Sequence, residues 1–184
     1  MTRAIIFLSI LLLSAKSTAS TCLQSPSAFK QSALPVILSS NASEDKLRDI
    51  LSSIIDFDSI AERSLEKQWK QIEGSKREDF RQTLQTLIVN NYVARFKGKA
   101  KSQNFEWTFV DSKTFKVVTT SADQDTETEL EFVISKLNTQ CWKISDIVID
   151  EVSVVENYKE QFNVVVKKHG FDSLLDRMKA KANV

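Results

Sequence analysis

The sequence predicts an α+β fold in which amphipathic helices pack on a curved antiparallel sheet of about four strands. Three observations point there. Apolar residues recur at helical spacing from Leu47 to Phe96, at every second residue from Phe105 to Ile134, and at helical spacing again from Val155 onward. Gly and Pro number only 3 and 2, which favours long helices and plain strands over a loop-rich scaffold. The runs of alternating residues are joined by polar turns, as in a meander with one apolar face.

Composition sets the outer limits. A chain of 184 residues, 42% of them hydrophobic, suits one globular domain with a real core. A formal net charge of +1, with Lys and Arg spread along the chain, argues against a dedicated nucleic-acid binder, which needs a basic excess to neutralise phosphates.

The first stretch, "MTRAIIFLSILLLSAKSTAS", is read as a leader rather than as part of the fold. It has a basic Arg3, a ten-residue apolar run from Ala4 to Leu13, and small residues at Ser17 and Ala19 before a cleavage point. The run is short for a membrane span, which disfavours the alternative of an uncleaved anchor. The expected division is a signal peptide over 1–19 and one exported domain over 20–184. Cys22 follows the cleavage point, and two readings are open for it. It is lipidated as a new N-terminus, although "ASTC" lacks the expected Leu, or it forms a disulfide with Cys141, the other cysteine in the sequence. The disulfide is the expected state.

A short helix around Ala28–Leu38 is interrupted by Pro35. Ser43 then caps a helix carrying Leu47, Ile50, Leu51 and Ile54. Asp56 or Asp58 starts the next, whose apolar face is Ile60, Ala61, Leu65, Trp69 and Ile72. After Gly74, Ser75 and Glu78 read as a capping box for the clearest helix in the chain, with Phe80, Leu84, Leu87, Ile88, Tyr92 and Phe96 in one stripe. "NFEWTFV", "TFKVVTT" and "ELEFVISKL" then alternate as strands. The fourth strand, Cys141 to Val154, slips phase: Trp142 and Ile144 lie in one register, Ile147 and Ile149 in the other. A bulge near Ser145–Asp146 would reconcile them, or both faces of the strand are covered. A helix bearing Val155, Tyr158, Phe162, Val165 and Val166 runs to His169-Gly170, and "FDSLLDRMKAKA" makes a last short one.

Little in the chain suggests catalysis. The single histidine, His169, precedes Gly170, where a basic residue complements a helix C-terminus. Zinc-site, nucleophile-elbow and phosphate-loop motifs are missing, and two cysteines far apart are too few ligands for zinc, so no cofactor is expected. "DQDTETE" lacks the Gly and spacing of a calcium loop and reads as a polar turn. Asp146 and Asp150 lie in an apolar strand. They read mainly as solvated or turn-bonding residues, with an exported enzyme using one of them as a base as the alternative function. What remains is apolar surface: Phe105, Trp107, Phe109, Phe115, Phe132 and Trp142 on the sheet alone. A curved sheet covered by amphipathic helices fills that space with core or holds an apolar cavity at its mouth.

From about Ser43 to Leu175 the chain resembles the MlaC-like, toluene-tolerance type of periplasmic phospholipid carrier. "FDFDSIAERSLEKQW" looks like the family's Phe-Asp followed by an Ala, a Leu and a Trp. "REDFRQTLQTLIVNNY" resembles its long helix with a closing Tyr. "CWKISDIVIDEVSVVENYKEQF" resembles its signature through Trp142-Lys143, Asp146, Val152-Ser153, Asn157-Tyr158 and Gln161-Phe162, and "HGFDSLLDRM" its closing segment. Three positions depart. Glu66 and Glu151 stand where the family often has Gly, and Lys159 where it often has Arg. The departures bear on local loop geometry and on the partner surface.

The resemblance implies a deep apolar pocket for the acyl chains of a phospholipid, and no enzyme. It also implies carriage between an outer-membrane lipoprotein complex and an inner-membrane ABC transporter complex, which maintains outer-membrane lipid asymmetry. The expected pocket residues are Tyr92, Phe96, Val117, Phe132, Ile134, Trp142, Val148 and Val152, on the inner faces of the long helix and meander or in the signature. Trp69 is the expected gate at the pocket's rim. Lys159, Lys167 and Lys168, on the polar side of the late helix, are the candidate docking contacts; solvation of that face is the competing role.

Overall fold

The computed structural model describes residues 23–39, 41–96, 105–123 and 126–183. The expected leader and Cys22 lie outside them. Helices precede and follow a meander, as the change of period requires. The helices are α1 (Pro26–Ala28), α2 (Leu34–Ile37), α3 (Glu44–Ile54), α4 (Phe57–Leu65), α5 (Gly74–Phe96) and α6 (Val154–Ala182). The strands are β1 (Phe105–Asp111), β2 (Thr114–Asp123), β3 (Thr126–Lys136), β4 (Trp142–Ile149) and β5 (Val152–Ser153), in the sheet order β1-β2-β3-β4-β5. The fold is α+β with an antiparallel sheet, and the sheet has five strands rather than four.

Local chemistry explains the elements. Pro35 cannot donate to the helical ladder, and the turn before it, Phe29–Ala33, is π-helical, so helical structure bridges α1 and α2 despite the proline. Ser43 caps α3 by accepting from the Lys46 amide, and Asp56 caps α4 by accepting from the Ser59 amide. The capping box expected at Ser75 is not formed. Helix α5 begins at Gly74, and the Glu78 carboxylate instead accepts from Arg81 and Gln82 one turn on. Within α6, Gly170 is non-helical at φ 82°, which splits it where His169-Gly170 predicted an end.

The phase slip in β4 is a bulge. Val133 pairs with Asp146 and Ile134 with Ile144, so Ser145 is the extra residue. Its hydroxyl bonds to Val133 O and Ser135 Oγ, and its carbonyl accepts from Arg63. The bulge lets both Ile144 and Ile147 face the core. Beyond Ser145 the expected long strand folds back: Ile149 pairs with Val152 across Asp150 and Glu151. Both turn residues have positive φ, 47° and 66°, as a two-residue I′ hairpin demands.

The core lies between the sheet's inner face and α2 to α6. Phe115, Val117, Leu130, Phe132, Ile134 and Ile144 are fully buried, and Phe29 closes over Phe115 and Phe132. A second aromatic group joins Trp69, Phe80, Phe162 and Phe171 where α5 meets α6. Leu23 is tied to β4 by a bridge to Trp142, and Ile55 bridges Ile144.

The two glycine departures now have a physical meaning, because Glu66 and Glu151 both carry positive φ. Glu151→Gly would convert the turn to Asp-Gly, the pair that I′ geometry favours. It is expected to raise stability by about 1 kcal/mol. Glu66 is more strained, at φ 49° and ψ −121°, and its ion pair with Lys159 (3.0 Å) offsets little because both side chains reach solvent. Glu66→Gly should therefore also stabilise. Denaturant midpoints of the two variants check this, and a midpoint at or below wild type would count against backbone strain.

Candidate functional site

Where the end of α5, the end of β4 and the start of α6 converge, they border an open-mouthed cavity of about 480 Å³. Ile88, Tyr92 and Phe96 face it from α5, Ile147 and Ile149 from β4, and Val154 from the first turn of α6. Helical spacing from 88 to 92 to 96 sets one apolar wall, and strand spacing from 147 to 149 sets another. The rim is polar: Asn91 and Arg95 from α5, Asn157 and Tyr158 from α6. An apolar chamber with a few convergent polar groups has the makeup of a ligand site.

The chamber's aromatic floor is ordered by packing. The Tyr92 ring lies 5.0 Å from that of Phe96 and 6.4 Å from that of Phe132. Tyr92 is 4% exposed, and among the described residues its hydroxyl has no hydrogen-bond partner. Burial raises its pKa, so the group stays protonated. At the rim, Asn91 Nδ2 donates to the Tyr158 hydroxyl (3.2 Å); burial raises that pKa too, and the Asn91 bond partly opposes it. Arg95 lies over the Phe96 ring and 3.9 Å from Asp150, with both side chains largely in solvent.

The expected pocket residues are divided by this geometry. Tyr92 and Phe96 line the cavity. Val117, Phe132, Ile134 and Trp142 are buried in the sheet's inner layer, where Phe132 touches Tyr92. Val148 and Val152 are not among the lining residues, and Val152 is 56% exposed on β5. The bulge explains Val148, because after Ser145 the inward positions are Ile147 and Ile149; Val152 shares the face of its partner Ile149 but lies on the edge strand β5, where it is exposed. Trp69 packs on Phe80 and under Arg77 rather than at the rim. Phe80 precedes Ile88 on α5 by roughly 12 Å of helix rise.

The other singled-out residues have structural work. Lys159 is ion-paired to Glu66 and Glu156, whereas Lys167 and Lys168 are exposed. Asp146 accepts from the Ile147 and Val155 amides through Oδ1 and from the Ser153 hydroxyl through Oδ2. Asp150 accepts from the Glu129 amide. Cys141 is disulfide-bonded, and Cys22 lies outside the described residues. No group of His, Cys, Asp and Glu suited to a metal ion occurs among the described residues.

The sequence reading missed the rim, because Asn91, Arg95 and Asn157 look like ordinary exposed helix residues. The signal available was that a Tyr neighbours an Asn in both helices, Asn91-Tyr92 and Asn157-Tyr158.

No curated protein matches the chain. Among solved structures, the chain is similar to a phospholipid-binding protein from Ralstonia solanacearum, solved in complex with a phospholipid at 1.53 Å. The TM-score is 0.64 at 19% identity, over 81% of this chain and 86% of that one, which bears on the fold. The MlaC protein family matches residues 31–180, and the chain belongs to that family.

Proposed function

We propose that the protein is a soluble periplasmic phospholipid carrier. It takes lipid between an outer-membrane lipoprotein complex and an inner-membrane ABC transporter complex, and so maintains outer-membrane asymmetry. The observation that carries this reading is the cavity with apolar walls and a polar rim in a chain of the MlaC family. The phospholipid held by the structural relative supports it. Each buried CH₂ contributes roughly 0.8 kcal/mol, so a two-chain lipid does not cross water at a useful rate without such a chamber.

At 480 Å³ the cavity is in the lower half of the range for small-molecule sites, roughly 300–1,000 Å³. Partner docking falls to exposed cations such as Lys167 and Lys168, while Lys159 is held by its own ion pairs. Among the described residues no helix is long and apolar enough to cross a membrane.

Native mass spectrometry tests the reading. Purified protein is expected to carry one phospholipid per chain, removable by organic extraction and regained from liposomes. A bare mass before extraction and after incubation with liposomes would exclude carriage.

A further inference from the structure

The mouth of the cavity adjoins a second depression. A groove of about 550 Å³ runs between α5 and α6. Leu87 and Asn91 line it from α5, Asn157, Tyr158 and Gln161 from the first half of α6, and Lys181 from the last turn of α6. Asn91, Asn157 and Tyr158 line the cavity as well, so the two spaces share one border. That border is polar and reachable. Asn91 and Asn157 are exposed, and Asn91 Nδ2 donates to the Tyr158 hydroxyl across it.

The charge along this path has one sign. The chain carries 24 Asp and Glu, yet none of them lines the cavity or the groove; the charged residues that do are Arg95 and Lys181. Arg95 has Asp150 at 3.9 Å, with both side chains largely in solvent. The exposed Lys181 ammonium makes no ion pair among the described residues. The other polar groups are amides and a hydroxyl, with Gln161 Nε2 donating to Asn157. Such groups bond a phosphate or a hydroxyl without carrying charge themselves. An ammonium group on this path would meet two cations and no lining carboxylate, and like charges in proximity are penalised.

We propose that the groove holds the headgroup of the phospholipid whose chains occupy the cavity, and that it favours an anionic, hydroxyl-bearing headgroup over one ending in an ammonium. This rests on the carrier reading. The glycerol crosses the Asn91–Tyr158 border, the phosphate lies between Arg95 and Lys181, and headgroup hydroxyls meet Asn157 and Gln161. Lys181 sets the preference, because it is the lining cation without a carboxylate beside it.

The test offers delipidated protein equimolar phosphatidylglycerol and phosphatidylethanolamine with the same acyl chains, in mixed vesicles. Native mass spectrometry reads the ratio of the two lipids bound. At low salt wild type is expected to take phosphatidylglycerol about fivefold over phosphatidylethanolamine, the scale of one partly exposed charge contact. The ratio should fall toward one in high salt. Lys181→Gln should bring it to about one, and Lys181→Glu below one, since a carboxylate there pairs with the ammonium. Lys181 is exposed, so both variants should keep the wild-type circular dichroism spectrum. Lys113→Glu makes the same change of net charge in the β1–β2 turn, beside the start of β4 rather than its end, and should keep the wild-type ratio. A wild-type ratio at or below one, or a preference that survives in Lys181→Glu, overturns the headgroup site and leaves carriage standing. So does a preference lost equally in Lys113→Glu, which would trace it to net charge. Uptake of neither lipid overturns carriage and this inference with it.

Discussion

Replacing Asp146 by alanine is expected to destabilise the protein by about 3 kcal/mol, because one carboxylate holds the joint between β4, β5 and α6. Its Oδ1 accepts from the Val155 amide (3.2 Å) in the first turn of α6, and its Oδ2 accepts from the Ser153 hydroxyl (2.6 Å). Ser153 in turn is the N-cap of α6 and accepts from the Glu156 amide (3.1 Å). The carboxylate also sits at the positive end of a helix, where negative charge is favoured. Bonds to a charged group contribute roughly 1.5–3 kcal/mol each and are not additive within one network, hence about 3 rather than the sum. Asp146→Asn keeps acceptor capacity and should cost about half as much. The experiment is chemical denaturation of both variants, with the midpoint as readout. A loss under about 1 kcal/mol for Asp146→Ala would show that the joint is held by other contacts. The same pair bears on the alternative in which Asp146 is a catalytic base: a base would be replaceable with little loss of stability.

How much of this was legible beforehand depends on the length scale of each feature. The stripe Phe80, Leu84, Leu87, Ile88, Tyr92, Phe96 is long and of one period, so α5 follows from burial alone. The slip between Ile144 and Ile147 is local and fits either a bulge or a strand covered on both faces; the strand pairing shows the bulge. The β4-β5 hairpin was hidden for the opposite reason. Asp150-Glu151 lacks the glycine that marks an I′ turn, and the strained φ at Glu151 leaves no trace in the sequence. The cavity was legible on its α5 side only. Which β4 residues complete it depends on the bulge, and which polar groups rim it depends on how α6 crosses α5. Neither follows from periodicity. Trp69 packs over Phe80, since a large aromatic just before Gly74 is equally suited to covering the core, and sequence spacing does not distinguish that place from the pocket's rim.

The sharpest test of the cavity wall uses two residues that face each other across β4 and β5. Ile149 lines the cavity and is partly buried, whereas its partner Val152 is 56% exposed. Ile149→Glu would set a carboxylate into the apolar wall of the cavity. An ionised group in an apolar chamber costs well over the roughly 1.4 kcal/mol that corresponds to tenfold in affinity. Lipid recovered per protein should therefore fall at least about tenfold. Because Ile149 is not fully enclosed, folding should lose no more than about 1–2 kcal/mol, and circular dichroism should be unchanged. Val152→Glu adds the same charge one hairpin position away, on a side chain already in water, and is expected to retain lipid. The pair separates a cavity effect from a general effect of negative charge beside Asp150 and Glu151. If Val152→Glu loses lipid and Ile149→Glu keeps it, the chamber lies against the β5 edge and the wall assigned to β4 is wrong. If both lose it, the charge acts at the rim, and raising ionic strength should restore binding to Val152→Glu first, since an exposed charge is screened more than a buried one.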